Sequence, residues 1–267
     1  MRCELVTTRE GATAVLDRDT MEVMHPIVGP RIEAQRIYVE PSRLEARLLR
    51  GGAAFVLFDV GLGAGSNAIA AWHLSERLPT SARPLEIVSF DRSRAAIELA
   101  LTQPAAFDLE GAAGEAARAV LREGEHRTLR TRWRYVEGEL PSALLGQGPA
   151  DMVWWDAFSP RNNPIMWTAA AFAALRPSCG PGCTVLTFSG ATAVRSALLL
   201  AGFAVGVGVP IGKEKHATFA AVDVEDIAEP LDQRWLDRLT RSSAPMPSDA
   251  PADAWERVAR AKQFAAR

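Results

Sequence analysis

Three glycines at alternate positions follow a short apolar run and precede a segment with helical spacing. Gly61, Gly63 and Gly65 come directly after AAFVLFDV and directly before SNAIAAWHLSERL. Glycine lets the backbone turn tightly and approach a ligand closely beside a helix N-terminus. The spacing G-x-G-x-G differs from the G-x-G-x-x-G of dinucleotide-binding turns. Asp59 would repel a pyrophosphate but suits the cationic amino group of a ligand such as S-adenosylmethionine, so the turn predicts that cofactor.

Two acidic residues follow the next predicted strands and could bind the nucleoside part of such a ligand. Asp91 ends the run LEIVSF, where a carboxylate can accept both ribose hydroxyls at the carboxyl edge of a parallel sheet. An Asp in this place can also cap the helix that follows, but the preceding glycine turn favours the ribose role. Glu139 follows WRYVEG and could accept the adenine amino group. An exposed acid in the first turn of a helix fits that position equally well.

Asp156 lies at the end of a fourth strand-like run, ADMVWWDAF, and opens the phrase DAFSPRNNPIMW. A carboxylate at the end of this strand points into the crevice that the cofactor's sulfonium would occupy. There it could orient an amine and remove its proton. Because Asp is also common in turns, the carboxylate alone decides little, and the whole ordered phrase favours the functional role.

The elements that would position these groups alternate along the chain from position 53 onward. Strand-like runs alternate with helical patterns, and FAVGVGV and HATFAAVDV could form a closing β-hairpin. This order predicts an α/β fold with a mostly parallel sheet and helices on both faces. We expect three segments: an N-terminal substrate-side segment over residues 1–50, an S-adenosylmethionine-binding domain over residues 51–225, and a surface tail with short helices over residues 226–267.

Composition and charge exclude several classes of protein. Of the 267 residues, 48% are hydrophobic and 23% charged, which excludes a disordered chain, a coiled coil and a collagen-like fibre. A net charge of −2 excludes a chain-wide basic field for nucleic acid but leaves room for a local basic patch. The N-terminus lacks the apolar core of a secretory signal, and three cysteines supply too few ligands for a zinc site. We therefore expect a cytoplasmic chain that binds neither membrane nor metal.

These motifs resemble those of the MnmC-like S-adenosylmethionine-dependent methyltransferases, the methylating domain of the tRNA 5-methylaminomethyl-2-thiouridine biosynthesis protein. The family's glycine motif matches Gly61 through Gly65 and Asn67. Its motif Asp-Gly/Ala-Phe-x-Pro-x-x-Asn-Pro-x-Met-Trp matches Asp156 through Trp167. The resemblance spans roughly residues 37–222 and includes later matches at Thr187 through Ser189, Val194 and Arg195, and Ala201 through Phe203.

The resemblance implies a class I methyltransferase with a Rossmann-like, seven-stranded sheet and S-adenosyl-L-methionine as cofactor. It implies that Asp156 is catalytic and that the acceptor is the aminomethyl group on the wobble uridine of certain tRNAs. Because no oxidase domain follows position 225, we expect a stand-alone methylating form. The expected cofactor-binding residues are Asp59, Gly61, Gly63, Gly65, Asn67, Asp91, Glu139 and Asp156, and the expected substrate-binding residues are His25, Phe158, Pro160, Asn163, Lys213 and Lys215.

The sequence leaves the methyl acceptor open. Lys213 and Lys215 precede the last predicted strand, near the mouth of the expected crevice, where they could hold a phosphate. A second basic stretch could contact RNA, although interleaved glutamates also fit a solvated surface; its arginines are Arg118, Arg122, Arg127, Arg130, Arg132 and Arg134. The N-terminal segment lacks the family's Tyr-Phe step, so a methyltransferase for a small amine or another metabolite remains an alternative. A non-catalytic scaffold of the same fold is disfavoured by the intact glycines, Asp91 and Asp156.

Overall fold

The structure is a computed structural model that describes residues 2–25, 28–211 and 215–264. The chain divides into two compact units, Met1–Ala143 and Leu144–Arg267, and each is described by itself. Among the described residues, every helix falls short of the length and hydrophobicity that a membrane-spanning segment needs.

The first unit begins with a small antiparallel sheet followed by a run of short helices. Strands β1 (Cys3–Thr7), β2 (Thr13–Asp17) and β3 (Glu22–Val23) pair in chain order. The buried Asp17 carboxylate closes the turn after β2, accepting hydrogen bonds from the Asp19 amide at 3.0 Å and the Thr20 hydroxyl at 3.1 Å. The helical run consists of α1 (Pro30–Glu33), a π-helical stretch (Ala34–Val39) and α2 (Leu44–Leu49).

The first unit has a second set of four strands, which are β4 (Phe55–Val60), β5 (Leu85–Asp91), β6 (Glu125–Arg127) and β7 (Thr131–Glu137). The helices between them are α3 (Ser66–Glu76), α4 (Ala95–Ala100) and α5 (Gly111–Glu123). The strand order is β4-β5-β7-β6. Strands β4 and β5 are parallel, with Phe55 opposite Leu85, and β5 and β7 are parallel, with Leu85 opposite Thr131. Strand β6 pairs with β7 in the antiparallel sense.

The described residues of the second unit also form four strands, which are β8 (Ala150–Trp155), β9 (Cys179–Thr187), β10 (Ala204–Pro210) and β11 (His216–Ala221). Its helices are α6 (Ala169–Leu175), α7 (Thr192–Leu200), α8 (Gln233–Leu239) and α9 (Ala254–Ala259). The strand order is β10-β11-β9-β8. Strands β8 and β9 are parallel, whereas β11 is antiparallel to both β9 and β10, so the predicted closing hairpin is confirmed.

These arrangements confirm the α/β class and the mostly parallel strand order. The strands of the two main sets number eight among the described residues, one more than the seven that the resemblance implied, and the additional strand is the three-residue β6. The core of each unit is apolar and dense in aromatic side chains: Trp133 is fully buried in the first, and Trp154 and Trp155 in the second. The division into three segments at positions 50 and 225 stays a prediction.

The C-terminal residues lie along β10, the end strand of the second unit's set. Leu231 donates its amide to the Val205 carbonyl at 2.9 Å, and Val207 donates to Glu229 at 2.9 Å. Further along, the Gln263 side-chain amide accepts from the Val205 amide at 2.7 Å and donates to the Val205 carbonyl at 3.0 Å. A glutamine side chain thus forms the pair of bonds that a neighbouring strand would form.

Candidate functional site

The glycine turn between β4 and α3 is fixed by the end of the neighbouring strand. The amides of Gly61 and Leu62 both donate to the Phe90 carbonyl, at 3.0 and 3.1 Å. Gly61, Gly63 and Gly65 have φ values of 95°, 53° and 86°, a region that L side chains rarely adopt. The turn therefore requires glycine, as the sequence predicted, and it carries the chain directly into α3.

Helix α3 begins without a side-chain cap, so the first N–H groups of the helix have no capping acceptor. Beside them the Ser66 hydroxyl is buried and has no hydrogen-bond partner among the described residues. Free N–H groups, a helix dipole and an unused hydroxyl suit an anionic group such as the carboxylate of a methionine moiety. This end of the turn fits the amino-acid part of S-adenosylmethionine.

The Asp91 carboxylate is joined to the turn by a hydrogen bond. Its Oδ2 accepts from the Gly63 amide at 3.0 Å, and its Oδ1 accepts from the Ser93 amide at 3.2 Å. Burial raises the pKa of Asp91, and the amides of Gly63 and Ser93 partly oppose that rise. The alternative role as helix cap is not observed, because Arg94 occupies the N-cap position of α4. Each carboxylate oxygen keeps a lone pair that could accept a ribose hydroxyl.

Tyr135 is a neighbour of Asp91 that the sequence analysis missed. Its hydroxyl donates to the Asp91 carbonyl at 3.2 Å, and the Arg94 guanidinium lies 5.7 Å from the centre of its ring. Burial raises the pKa of Tyr135, and the charge of Asp91 adds to the rise, so the hydroxyl stays protonated and continues to donate. Its position two residues before the end of β7 could have indicated that it lies near Asp91, since the register puts Tyr135 opposite Ser89, two residues before Asp91 on β5.

Asp59 lies inside the sheet. It is fully buried, and its Oδ2 accepts from the Ser89 hydroxyl at 2.7 Å, which in turn accepts from the Trp133 indole at 2.9 Å. Asn67, in the first turn of α3, is also buried. Glu139 is exposed in the loop after β7. Their roles toward the cofactor stay predictions.

The segment after β3 covers the glycine turn. A Cβ placed on Gly63 would lie 3.3 Å from the Met24 sulfur, so the turn has a neighbour above it as well as below. His25, the next residue, has a left-handed φ of 57°, which is uncommon outside glycine. Its Nδ1 lies 3.5 Å from Glu33 Oε2, and both side chains are mostly buried. His25 is therefore a candidate for substrate contact, because its backbone conformation is strained, a carboxylate lies beside its ring, and it follows the residue next to the glycine turn.

In the second unit, Asp156 follows β8 and opens a loop that is held by two tryptophans. The Trp155 indole donates to the Met166 carbonyl at 3.1 Å, and the Trp167 indole donates to the Phe158 carbonyl at 2.8 Å. The amide of Asn163 donates to the Ser159 carbonyl at 2.9 Å. Asp156 is partly exposed at the start of this loop. The phrase Asp156 to Trp167 is therefore a closed, hydrogen-bonded loop that begins with a carboxylate.

The remaining predicted substrate residues are on the surface or only partly buried. Phe158, Pro160 and Asn163 are half-buried within the Asp156 loop, and Lys215 is exposed before β11. Lys213 lies outside the described residues. None of these placements tests a substrate role, which stays a prediction.

The arginines that crowd residues 118–134 are largely neutralised. Arg132 pairs with Glu125 at 2.7 Å, Arg134 with Glu86 at 2.9 Å, and Arg122 with its neighbour Glu123 at 2.6 Å. Arg130 turns inward and donates to the carbonyls of Ala82 and Arg83 at 2.7 and 2.9 Å. Four of the six arginines in this stretch thus bind acidic side chains or backbone carbonyls of the same chain, in agreement with the solvated-surface interpretation.

The chain is similar to known methyltransferases. The profile of a family described as S-adenosyl-L-methionine-dependent methyltransferase matches residues 122–223. The tRNA 5-methylaminomethyl-2-thiouridine biosynthesis bifunctional protein MnmC of Methylibium petroleiphilum is 30% identical over 80% of this chain and 34% of its own length. The MnmC protein of Pseudomonas fluorescens Pf-5 is 34% identical over 64% of this chain and 28% of its own length. The chain therefore spans about a third of the length of these relatives.

Among solved structures, MNMC2 from Aquifex aeolicus has the same fold. It superimposes with a TM-score of 0.72, covering 96% of this chain and 83% of that one, at 22% identity. The likeness therefore extends over the N-terminal and C-terminal residues as well as the residues that carry the motifs.

Proposed function

We propose that this MnmC-like S-adenosyl-L-methionine-dependent methyltransferase methylates the aminomethyl group at position 5 of a wobble uridine in tRNA. The observation that carries the proposal is the identity of about a third to proteins named for tRNA 5-methylaminomethyl-2-thiouridine biosynthesis, extending over most of this chain. The same region contains the Asp156 loop, which the two indole hydrogen bonds hold closed. A tRNA substrate also implies a cytoplasmic location, where tRNA is modified.

S-adenosyl-L-methionine is the cofactor, and it supplies an electrophilic methyl group on a sulfonium. We assign its amino-acid end to the uncapped start of α3, with the Ser66 hydroxyl and Asn67 beside it. Asp91 would accept the ribose hydroxyls, and its bond to the Gly63 amide aligns the acceptor with the turn. Asp59 would favour the cationic amino group, and Glu139 is the candidate acceptor for the adenine amine.

Asp156 is the residue that we assign to the methyl acceptor. Only a neutral amine has the lone pair that attacks a methyl group, so an acceptor carboxylate can orient the amine and draw off its proton. Such general base assistance typically contributes about 10²- to 10⁴-fold, and orientation of the reactants supplies more. The closed loop supports this role, because it holds the start of the carboxylate-bearing segment in one conformation.

The substrate side would consist of His25, Phe158, Pro160 and Asn163, with Lys213 and Lys215 near a phosphate. His25 is the strongest of these on structural grounds, since Glu33 holds its ring and Met24 contacts the glycine turn. Phe158 offers an aromatic ring for stacking on a base, a contact that tolerates many sequences.

A methyltransferase for a small amine remains the second candidate. The overall net charge of −2 favours it, because the chain has no general attraction to polyanions. A non-catalytic scaffold is disfavoured, since it would have no physical need for an uncapped helix start, an unused buried hydroxyl and a buried carboxylate at one turn.

The test is methyl transfer from labelled cofactor to tRNA that carries the aminomethyl group without its methyl. We expect label in the wobble nucleoside, identified by mass spectrometry of the digested tRNA. The matched control is the same tRNA already methylated at that amine, which should accept no label. Label found only in a small-molecule fraction would replace the tRNA proposal with the small-amine alternative.

A further inference from the structure

A groove in the first unit lies beside α3, the helix that follows the glycine turn. It has a volume of about 500 Å³ and is lined by residues of α1, of the π-helical stretch and of α3. Its charged and polar lining residues are Arg31, Arg36, Arg77, His73, Gln35, Glu40 and Asp108. Three arginines along one groove form a different basic surface from those that the sequence indicated.

The groove extends along α3 away from the glycine turn. Ala70, His73, Leu74 and Arg77 recur at helical spacing on one side of this helix. With a rise of 1.5 Å per residue, the lining begins about 6 Å and ends about 16 Å along the axis from Ser66. A polynucleotide whose reacting base meets the cofactor bound at the glycine turn would have the phosphates of its next few nucleotides within that span.

The guanidinium groups of this groove are available to a ligand. The Arg36 side chain is exposed and forms no ion pair or hydrogen bond with any residue that the structure describes. Arg31 lies 3.7 Å from Asp108, and Arg77 lies 3.4 Å from Glu45, with the arginine side chains 72% and 61% exposed. Such open surface pairs contribute little stability and exchange readily. Of the arginines in residues 118–134, in contrast, Arg132 and Arg134 are bound to glutamates at shorter distances and Arg130 is turned inward.

We propose that this groove, defined by Arg31, Arg36 and Arg77, binds backbone phosphates of the RNA next to the nucleotide that is methylated. The proposal rests on the proposed function and adds the surface that holds the substrate. Arginine suits this task because its planar fork binds two phosphate oxygens at once. Glu40 and Asp108 lower the net charge, so a single small anion gains little here, whereas a chain of phosphates reaches several guanidinium groups in succession.

The experiment compares two triple variants that remove the same charge. One is Arg31→Gln, Arg36→Gln and Arg77→Gln; the control is Arg118→Gln, Arg122→Gln and Arg127→Gln on α5 and β6 of the same unit. Binding of unmethylated tRNA is measured against salt concentration, together with S-adenosyl-L-methionine affinity and thermal stability. Each lost contact to single-stranded RNA should flatten the log–log salt slope by about 0.7.

We expect the groove variant to lose roughly 10- to 100-fold in tRNA affinity at low salt and to flatten the slope by about 2, at unchanged cofactor affinity. The control variant should stay close to the unsubstituted protein. If the unsubstituted protein methylates tRNA and the groove variant binds it with unchanged affinity and slope, the groove proposal is overturned and the proposed function stands. An equal loss in both variants also overturns it, since the groove would then be no more than general surface charge. If the unsubstituted protein binds no tRNA, both proposals fall.

Discussion

The Asp91 carboxylate accepts a hydrogen bond from the Gly63 amide at 3.0 Å, so the proposed ribose acceptor is joined directly to the glycine turn. The bond links the end of β5 to the turn after β4, two segments that are 28 residues apart in sequence. A change at Asp91 therefore acts on the ligand contact and on the conformation of the turn together.

Asp91→Ala should weaken S-adenosyl-L-methionine binding by roughly 30- to 1000-fold. Loss of two hydrogen bonds to a charged acceptor costs on the order of 2–4 kcal/mol, which corresponds to that range. Isothermal titration calorimetry measures the effect. The control is Asp19→Ala, an acid paired with Arg2 at 3.0 Å in the N-terminal sheet, whose loss should leave cofactor affinity unchanged. Equal affinity in both variants would remove Asp91 from the site.

The burial of Asp91 should make stability depend on pH with a defined sign. Burial raises the folded-state pKa, so the folded chain holds the proton more tightly than the unfolded chain. The group's contribution to the free energy of unfolding is full below the unfolded pKa of about 3.9 and is lost as pH rises through the folded pKa. Asp91→Asn has no such titration. The stability of the unsubstituted protein minus that of the variant should therefore fall as pH rises from about 3.5, then level off; a difference that grows with pH contradicts this.

Asp156→Asn should separate chemistry from folding. The amide has the size of the carboxylate and can keep the loop, but it cannot take a proton from the acceptor amine. We expect normal thermal stability and cofactor affinity, with turnover at saturating substrate reduced about 10²- to 10⁴-fold. Single-turnover methyl transfer is the measurement, and Asp226→Asn, an exposed acid in the same unit, is the control. Near-full activity in Asp156→Asn would show that the base lies elsewhere, with His25 the next residue to test.

Trp167→Phe should loosen the Asp156 loop. The change removes the indole donor to the Phe158 carbonyl while retaining a ring against Phe188, whose centre lies 5.5 Å away. One lost hydrogen bond costs about 0.5–1.5 kcal/mol in the free energy of unfolding. Denaturant unfolding should show this loss, together with a lower turnover number. Trp235→Phe serves as control, because that indole stacks on Phe264 at 6.2 Å and its ring contact survives the change. Equal stability losses in the two variants would mean that the hydrogen bond to the Phe158 carbonyl adds nothing to the stability of the loop.

The parts of the site that could be predicted from sequence are those built by neighbours in the chain. The glycine turn, the strand before it and the helix after it are local, so composition and spacing were sufficient. The positions of Asp91 and Asp156 directly after strand-like runs could be predicted for the same reason, whereas their roles stay predictions. The helix-cap alternative for Asp91 could not be rejected from the sequence, because it depends on where α4 begins, and in the structure Arg94 occupies the N-cap position.

The parts that sequence could not predict depend on contacts between distant residues. Nothing in the spacing indicated that Glu86 would pair with Arg134, 48 residues later, or that Tyr135 would bind the Asp91 carbonyl. The sequence therefore left open whether the arginines of residues 118–134 are free to contact RNA. The π-helical stretch after α1, which lines the groove, has no simple sequence periodicity from which it could be predicted.

Gln263 has a consequence for association between molecules. An uncovered end strand offers a row of free amides and carbonyls to any second chain, and this is a common origin of aggregation and strand exchange. In this protein a single glutamine side chain engages both backbone groups of Val205 and also donates to the Leu231 carbonyl at 3.0 Å. Gln263 thereby blocks the docking of a foreign strand at that point. Its replacement by leucine would leave the Val205 amide without its acceptor, while the backbone bonds of Leu231 and Glu229 to the same strand would remain.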